Sequence, residues 1–144
     1  MSTLYLHRDD APFSAKVWAK IDDVVVSAAK SQLSARRVLP IEGPYGLGLK
    51  ALPGADSAVR GASGEDVTVS ASPLVPVVEI QAGFSLPIRD IAAFEATGLP
   101  FDCGPVAAAA MSCARKEDEL VFGGAKALGV AGLLSAKDTQ SLKL

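Results

Sequence analysis

Apolar and polar positions change their period several times along the chain, and each change marks an element. Within residues 13–33, Trp18, Ile21, Val25 and Ala29 (with Ala28) recur at spacings of three and four, while Lys20, Asp22, Asp23 and Lys30 fall on other faces. This single apolar stripe predicts an amphipathic helix, with Ser14 placed to cap its first turn. Residues 1–12 ahead of it are polar and irregular and read as an arm. Residues 36–42 read as extended and end at Gly43-Pro44-Tyr45-Gly46, where Pro44 keeps Gly43 out of helical geometry. Residues 47–52 predict a short strand halted by Pro53, and residues 54–64, rich in Gly, Ala, Ser and Asp, a flexible tip. Residues 65–70 alternate and read as one arm of a hairpin. Residues 74–86 are β-rich and read as a long strand entering a core, although Pro73, Pro76 and Pro87 argue for edge or irregular segments.

The second half turns helical. Residues 89–97 predict a short helix stopped by Gly98 and Pro100, with Ile91, Ala92 and Phe94 as its packing side. Asp102 is the candidate cap of the next helix, residues 106–121, and Pro105 suits its first turn. Four consecutive alanines, Ala107 to Ala110, favour helix and allow another backbone to come close. Met111 reads as a core filler. Residues 123–134, with glycines at 123, 124, 129 and 132, read as a loop or a partner-facing segment. The mixture predicts an α+β chain.

Composition narrows what such a chain does. A length of 144 residues fits one domain. A compact domain of that size buries roughly 70% of its unfolded surface. Hydrophobic residues make up 49% and mean hydropathy is +0.30. No 18-residue apolar run exists, so the surplus apolar surface points to other chains rather than to a membrane span. The polar face of residues 13–33 lacks the basic character of a membrane-surface helix. Net charge is −2 with scattered basic residues. Only Arg36-Arg37 approaches a basic patch, and the pair reads as a solvated helix end rather than a nucleic-acid footprint.

Catalytic and metal chemistry find no footing in these residues. Cys103 and Cys113 lie ten apart, match no zinc spacing and suit a reducing cytosol. His7, the single histidine, falls in the arm, so neither cysteine has a positioned base. Glu117, Asp118 and Glu119 are consecutive on a predicted helix and point to different faces, so they form no acid–base pair. A solvated or intersubunit salt-bridging cluster is the better reading. The run GGAKALGVAG offers Lys126 without the following hydroxyl that a phosphate cradle needs. The N-terminus lacks a signal-peptide pattern, which predicts a cytoplasmic protein.

Residues 113–134, in which Arg115-Lys116-Glu117-Asp118-Glu119 run into an apolar pair and then into glycines, closely resemble one family when taken with residues 36–46. That family is the encapsulins, bacterial and archaeal nanocompartment shell proteins that share the major capsid protein fold of tailed phages. Matching residues are Trp18, Arg36, Arg37, Gly43, Pro44, Gly46, Pro76, Glu117, Asp118, Glu119, Phe122 and Gly124, followed by Gly129, Val130, Gly132, Leu133 and Leu134. The resemblance implies an interior helix over residues 13–33, an extended β-hairpin loop over about 48–78 and a spine helix of the peripheral domain over about 105–121. It divides the chain into an arm and interior helix (1–34), an extended-loop region (35–86) and a partial peripheral domain (87–144).

The resemblance covers about the first half of a family member, and the axial domain has no counterpart in these residues. The expectation is that a second polypeptide carrying a C-terminal encapsulin fragment completes the subunit. By the same resemblance, copies of the chain assemble into an icosahedral shell, with Arg36, Arg37, Gly43, Pro44, Gly46, Glu117, Asp118 and Glu119 as assembly candidates. Cargo, such as a ferritin-like protein or a dye-decolourising peroxidase, docks through a short targeting peptide. Trp18, Ile21, Asp22 and Val25 are the cargo-binding candidates. Some family members stack a flavin on a tryptophan whose matching position here is Arg89, so no flavin or other cofactor is expected. The alternative is a fragment of a phage or prophage major capsid protein. No enzyme activity, nucleic acid or membrane enters the nanocompartment reading.

Overall fold

The computed structural model describes residues 7–54, 59–63 and 68–136. The chain forms two compact units, each assembled from two separated segments.

The first unit takes Met1–Leu33 and Gln81–Arg115. Helix α1 spans Ala15–Gln32 and helix α2 spans Ile88–Thr97. Helix α3 spans Gly104–Gly123, and its residues through Arg115 belong to this unit. The core gathers Val17, Ile21, Ile91, Phe101 and Val106, with Phe13, Trp18, Val24, Val25, Leu86, Phe94 and Cys103 packed around it. The expected stripe is thereby rotated by one position. Val17 is fully buried and Trp18 only partly. The arc through 17, 21 and 24 lies beside the arc through 18, 21 and 25, and Val17 is the member of the helix that is fully buried. Phe94 meets Phe101 edge-on, with ring centroids 5.2 Å apart.

Local signals explain where these helices start and stop. Ser14 does stand at the first cap of α1 in extended geometry, but its hydroxyl makes no capping bond. Its N–H instead donates to Glu95 Oε1 at 2.6 Å, tying the start of α1 to α2. Gly98 ends α2 in the left-handed region, φ 77°, with its N–H on Phe94 O at 2.8 Å. Asp102 Oδ1 accepts the Gly104 N–H at 2.7 Å from one residue ahead of the expected cap position, which Cys103 takes: its carbonyl accepts the Ala107 N–H at 3.0 Å. Ala110 and Ala114 are buried along α3.

The second unit takes Ser34–Ile80 and Lys116–Leu144. A 3-10 turn, Ala35–Arg37, opens it. Among the described residues three two-stranded antiparallel ribbons follow. Strand β1, Ala51–Pro53, pairs with β4, Leu74–Pro76, setting Leu52 opposite Val75. Strand β2, Val59–Ser63, pairs with β3, Thr68–Ala71, with a register shift between Arg60 and Ser63. Strand β5, Gly124–Ala125, pairs with β6, Val130–Ala131.

Four sequence expectations need correction here. Pro53 lies within β1 instead of halting it, because the last residue of a short edge strand has no ladder bond to lose. The expected tip over 54–64 contains β2, with its register shift between Arg60 and Ser63; residues 55–58 and 64 lie outside the described ones. Residues 74–86 do not form a long strand: β4 ends at Pro76, and its pairing closes with the Val77 N–H on Lys50 O at 2.9 Å. Residues 123–134 are a tight hairpin rather than a loop, made possible by Gly124 in the left-handed region (φ 74°) and Gly132 pressed against it. A Cβ built on Gly132 would lie 2.5 Å from Phe122 O, inside any permitted contact.

Candidate assembly site

Helix α3 carries Glu117, Asp118 and Glu119 one after another, so successive carboxylates leave the helix about 100° apart. Each one finds a different partner. Asp118 Oδ2 accepts the Ser34 N–H at 2.8 Å and, through a still shorter bond, the Ser34 hydroxyl. Its other oxygen, Oδ1, accepts the Ala35 N–H at 3.1 Å. One carboxylate thus satisfies the free donors that open the turn at Ala35–Arg37, the job a capping side chain usually performs from within its own helix. The Ser34 hydroxyl and N–H hold the Asp118 carboxyl below the ordinary aspartate range, with smaller help from the Ala35 N–H and the charge of Arg37.

Glu117 closes a second connection. Arg36 Nε donates to Glu117 Oε1 at 2.5 Å, and a terminal nitrogen of the same guanidinium donates to Oε2 at 2.7 Å. This fork-on-fork geometry fixes direction as well as distance. The hydrogen bonds from Arg36 to Glu117 raise the guanidinium's already high pKa further. Glu119 turns to Lys116 on the exposed surface of α3. The expectation that the three acids face apart therefore holds, and two of them form a clasp within the chain around residues 34–36.

The other assembly candidates lie elsewhere. Arg37 is exposed. Gly43, Pro44 and Gly46 lie on an exposed stretch where Val38, Ile41, Tyr45 and Leu47 are 74%, 64%, 61% and 67% accessible. Ser34, which sequence reasoning missed, is the residue that Asp118 needs. No sequence signal marks it, because a serine after a helix is ordinary and its partner lies 84 positions away.

Beside the clasp, within the same unit, lies an open apolar hollow of about 460 Å³. Its walls are Leu39, Pro76, Val78 and Ile80 from one segment, and Leu120, Val121, Val130 and Leu133 from the other. Glu117 is its charged wall residue, and Arg36 already neutralises that carboxylate.

The cargo candidates sit on α1, in the first unit. Trp18 is half-buried, with the Arg8 guanidinium 4.3 Å above its ring and Phe13 4.9 Å away. Asp22 is exposed and accepts from Arg8 at 2.5 Å. Val25 is half-buried against the core. Ile21, only 4% accessible, belongs to the core and offers no surface for docking. Among the described residues no group of three or more His, Cys, Asp or Glu side chains is placed to hold a metal ion, and Cys103 and Cys113 are free thiols. No described helix is long and apolar enough to cross a membrane.

A family model described as an encapsulating protein for peroxidase matches residues 2–144. The type 1 encapsulin shell protein EncA of Myxococcus xanthus is 32% identical, over 97% of this chain and 52% of its own length. The type 1 encapsulin shell protein of Rhodococcus erythropolis is also 32% identical, over 96% of this chain and 53% of its own length. A diheme-cytochrome-encapsulin shell fusion protein of Kuenenia stuttgartiensis is 30% identical, over 88% of this chain and 37% of its own length. The chain spans about half the length of the first curated relatives it matches.

Proposed function

This chain belongs to the encapsulin family of shell proteins, and from that premise we propose that it is a structural part of a self-assembling cytoplasmic nanocompartment, contributing the N-terminal half of a shell subunit. The family match across residues 2–144 is the observation that carries the reading. The exposed apolar residues along 38–47 support it, because closed symmetry multiplies many weak contacts of that kind into a stable particle. In this reading the clasp of Ser34, Arg36, Glu117 and Asp118 is structural: it holds the 3-10 turn from which that exposed stretch begins. The chain encloses cargo and performs no catalysis itself.

Cargo docks on α1. The exposed Asp22 and the half-buried Trp18 and Val25 are the surface that a targeting peptide of a ferritin-like protein or a dye-decolourising peroxidase would meet, while Ile21 supports them from the core. A phage or prophage capsid fragment is not favoured, since the curated relatives named above are encapsulin shell proteins. Electron microscopy tests the central reading. Co-production of the chain with the C-terminal half of a type 1 shell protein should give closed cages. Their absence, with both polypeptides soluble, would overturn it.

A further inference from the structure

The clasp closes on a hydroxyl, a group open to covalent modification. Ser34 is exposed and stands just ahead of the turn Ala35–Arg37 instead of inside a helix. Its N–H and its hydroxyl both go to Asp118 Oδ2, so a change at the Ser34 oxygen acts directly on that carboxylate. Cations flank it in the sequence on both sides: Lys30 four residues before, Arg36 and Arg37 two and three residues after. Arg36 is committed to Glu117, whereas Arg37 is exposed and, among the described residues, joins no ion pair. An accessible serine among cations carries the kind of charge pattern by which kinases select substrates. A phosphoryl group on it brings about −1.5 to −2 charges at pH 7, together with strong acceptor oxygens. Beside Asp118 it places repulsion where the hydroxyl had donated a hydrogen bond. An arginine fork, in turn, binds phosphate as well as carboxylate.

We propose that Ser34 is a phosphorylation site and that its modification opens the clasp. The phosphoryl donor is a nucleoside triphosphate, and the partner is a serine kinase that reads the arginines following the acceptor. A bond forms between Ser34 Oγ and the terminal phosphorus as the bond from that phosphorus to the β-phosphate oxygen breaks. The nucleoside diphosphate leaves, and the hydroxyl proton passes to the kinase's base and on to water. The new phosphate repels Asp118 and draws the Arg36 guanidinium away from Glu117, with Arg37 as the second cation at hand. The turn Ala35–Arg37 thereby loses its ties to α3, and the exposed stretch 38–47 that begins from it loses its fixed start. The modification follows from the clasp alone. Its consequence, poor entry of the modified chain into cages, rests on the shell-subunit reading.

The chain is incubated in the cytosol of its own cell with added ATP, recovered and cut with trypsin. The peptide 31–36 contains both Ser31 and Ser34, and fragmentation tells them apart. Phosphate should appear on Ser34 at least tenfold more than on Ser31, which is also exposed. Arg37→Gln should lower that labelling at least fivefold, since the Arg37 side chain makes none of the clasp's hydrogen bonds. In parallel, phosphoserine is built into position 34 or 31 during synthesis. At 34 it should speed hydrogen exchange of the Ala35 amide, which Asp118 Oδ1 holds at 3.1 Å, at least tenfold; at 31 the change should stay under twofold. With Asp118→Asn already in place, phosphoserine at 34 should add less than threefold. An unlabelled Ser34, equal labelling of both serines, or an Ala35 amide indifferent to phosphoserine at 34 would each overturn the proposal. Cage yield in micrographs is read separately. If the Ala35 amide is released while cages form at full yield, the site stands and the link from clasp to assembly falls.

Discussion

Replacing Gly132 by alanine perturbs the β5–β6 hairpin by one carbon atom and nothing else. That carbon would lie 2.5 Å from Phe122 O and closer still to the backbone of Gly123 and Gly124, where an ordinary contact begins at 3.4 Å. Every atom it meets is backbone, so no side chain can swing aside, and the two strands must part by about an ångström. Overpacking of this kind costs about 1–3 kcal/mol. Alanine also restricts the unfolded chain, which offsets about 0.4–1 kcal/mol. The net loss is about 1 kcal/mol, which for a chain of this size lowers the melting temperature by about 2–4 °C. Gly48→Ala is the control. A Cβ there meets nothing within 4 Å, so stability should hold or rise by up to about 1 kcal/mol. Gly124→Ala should cost more than Gly132→Ala, because φ 74° adds about 1–2 kcal/mol of left-handed strain. The double variant should cost less than the sum, since both carbons force the same strands apart. Thermal unfolding followed by circular dichroism reads all four. Coincident melting curves for Gly132→Ala and Gly48→Ala would refute the claim that these strands touch backbone to backbone.

Acid titration tests the clasp. The Asp118 carboxyl sits below the ordinary aspartate value, so its stabilisation is complete above the unfolded value of 3.8 and is lost as pH falls through the lower folded value. The Ser34 and Ala35 amide proton shifts should titrate together with a midpoint below 3.8, and a midpoint at or above it would contradict the bonds described. Val106→Ala removes two fully buried methyl groups and should cost about 2 kcal/mol in chemical denaturation, whereas Ile88→Ala, at an exposed position, should cost under about 0.5 kcal/mol. Arg8→Gln removes the cation above Trp18 and should alter tryptophan emission while changing stability by no more than about 1 kcal/mol. Deleting residues 54–70 should abolish cages in negative-stain micrographs while leaving the helical signal intact; normal particles would remove that segment from the assembly.

The helices were legible because their information is local. The three-and-four spacing, Gly98, the Asp102 turn and the alanine run all act within a few residues, and the three described α-helices fall where these signals put them. Ser14 shows the limit of that logic: a residue of the right type at the right position gave its backbone N–H to Glu95, 81 residues on, and left its hydroxyl out of the cap. The strands were read poorly because their pairing is set by partners far along the chain and by prolines whose effect depends on which edge they occupy. The resemblance picked out Arg36, Glu117 and Asp118 as residues that matter, yet their mutual contact is a fact of folding that neither spacing nor composition encodes. The hollow was invisible for the same reason. Its aliphatic residues are unremarkable one by one, and they become a recess only when two segments meet.

The interleaving of the two units bears on how a ribosome delivers this protein. The first unit lacks its second segment until Arg115 has emerged, and all of Ser34–Ile80 is translated before that moment. The residues that will anchor the second unit, Glu117 and Asp118, come next. Until then Leu39, Val78 and Ile80 lack Leu120 and Val121, the later residues that line one hollow with them, and closing such long-range pairings is intrinsically slow. In the shell-subunit reading proposed above, nascent chains on neighbouring ribosomes of one message would expose greasy, unfinished segments to each other, and the order of synthesis would favour meeting a sister copy early.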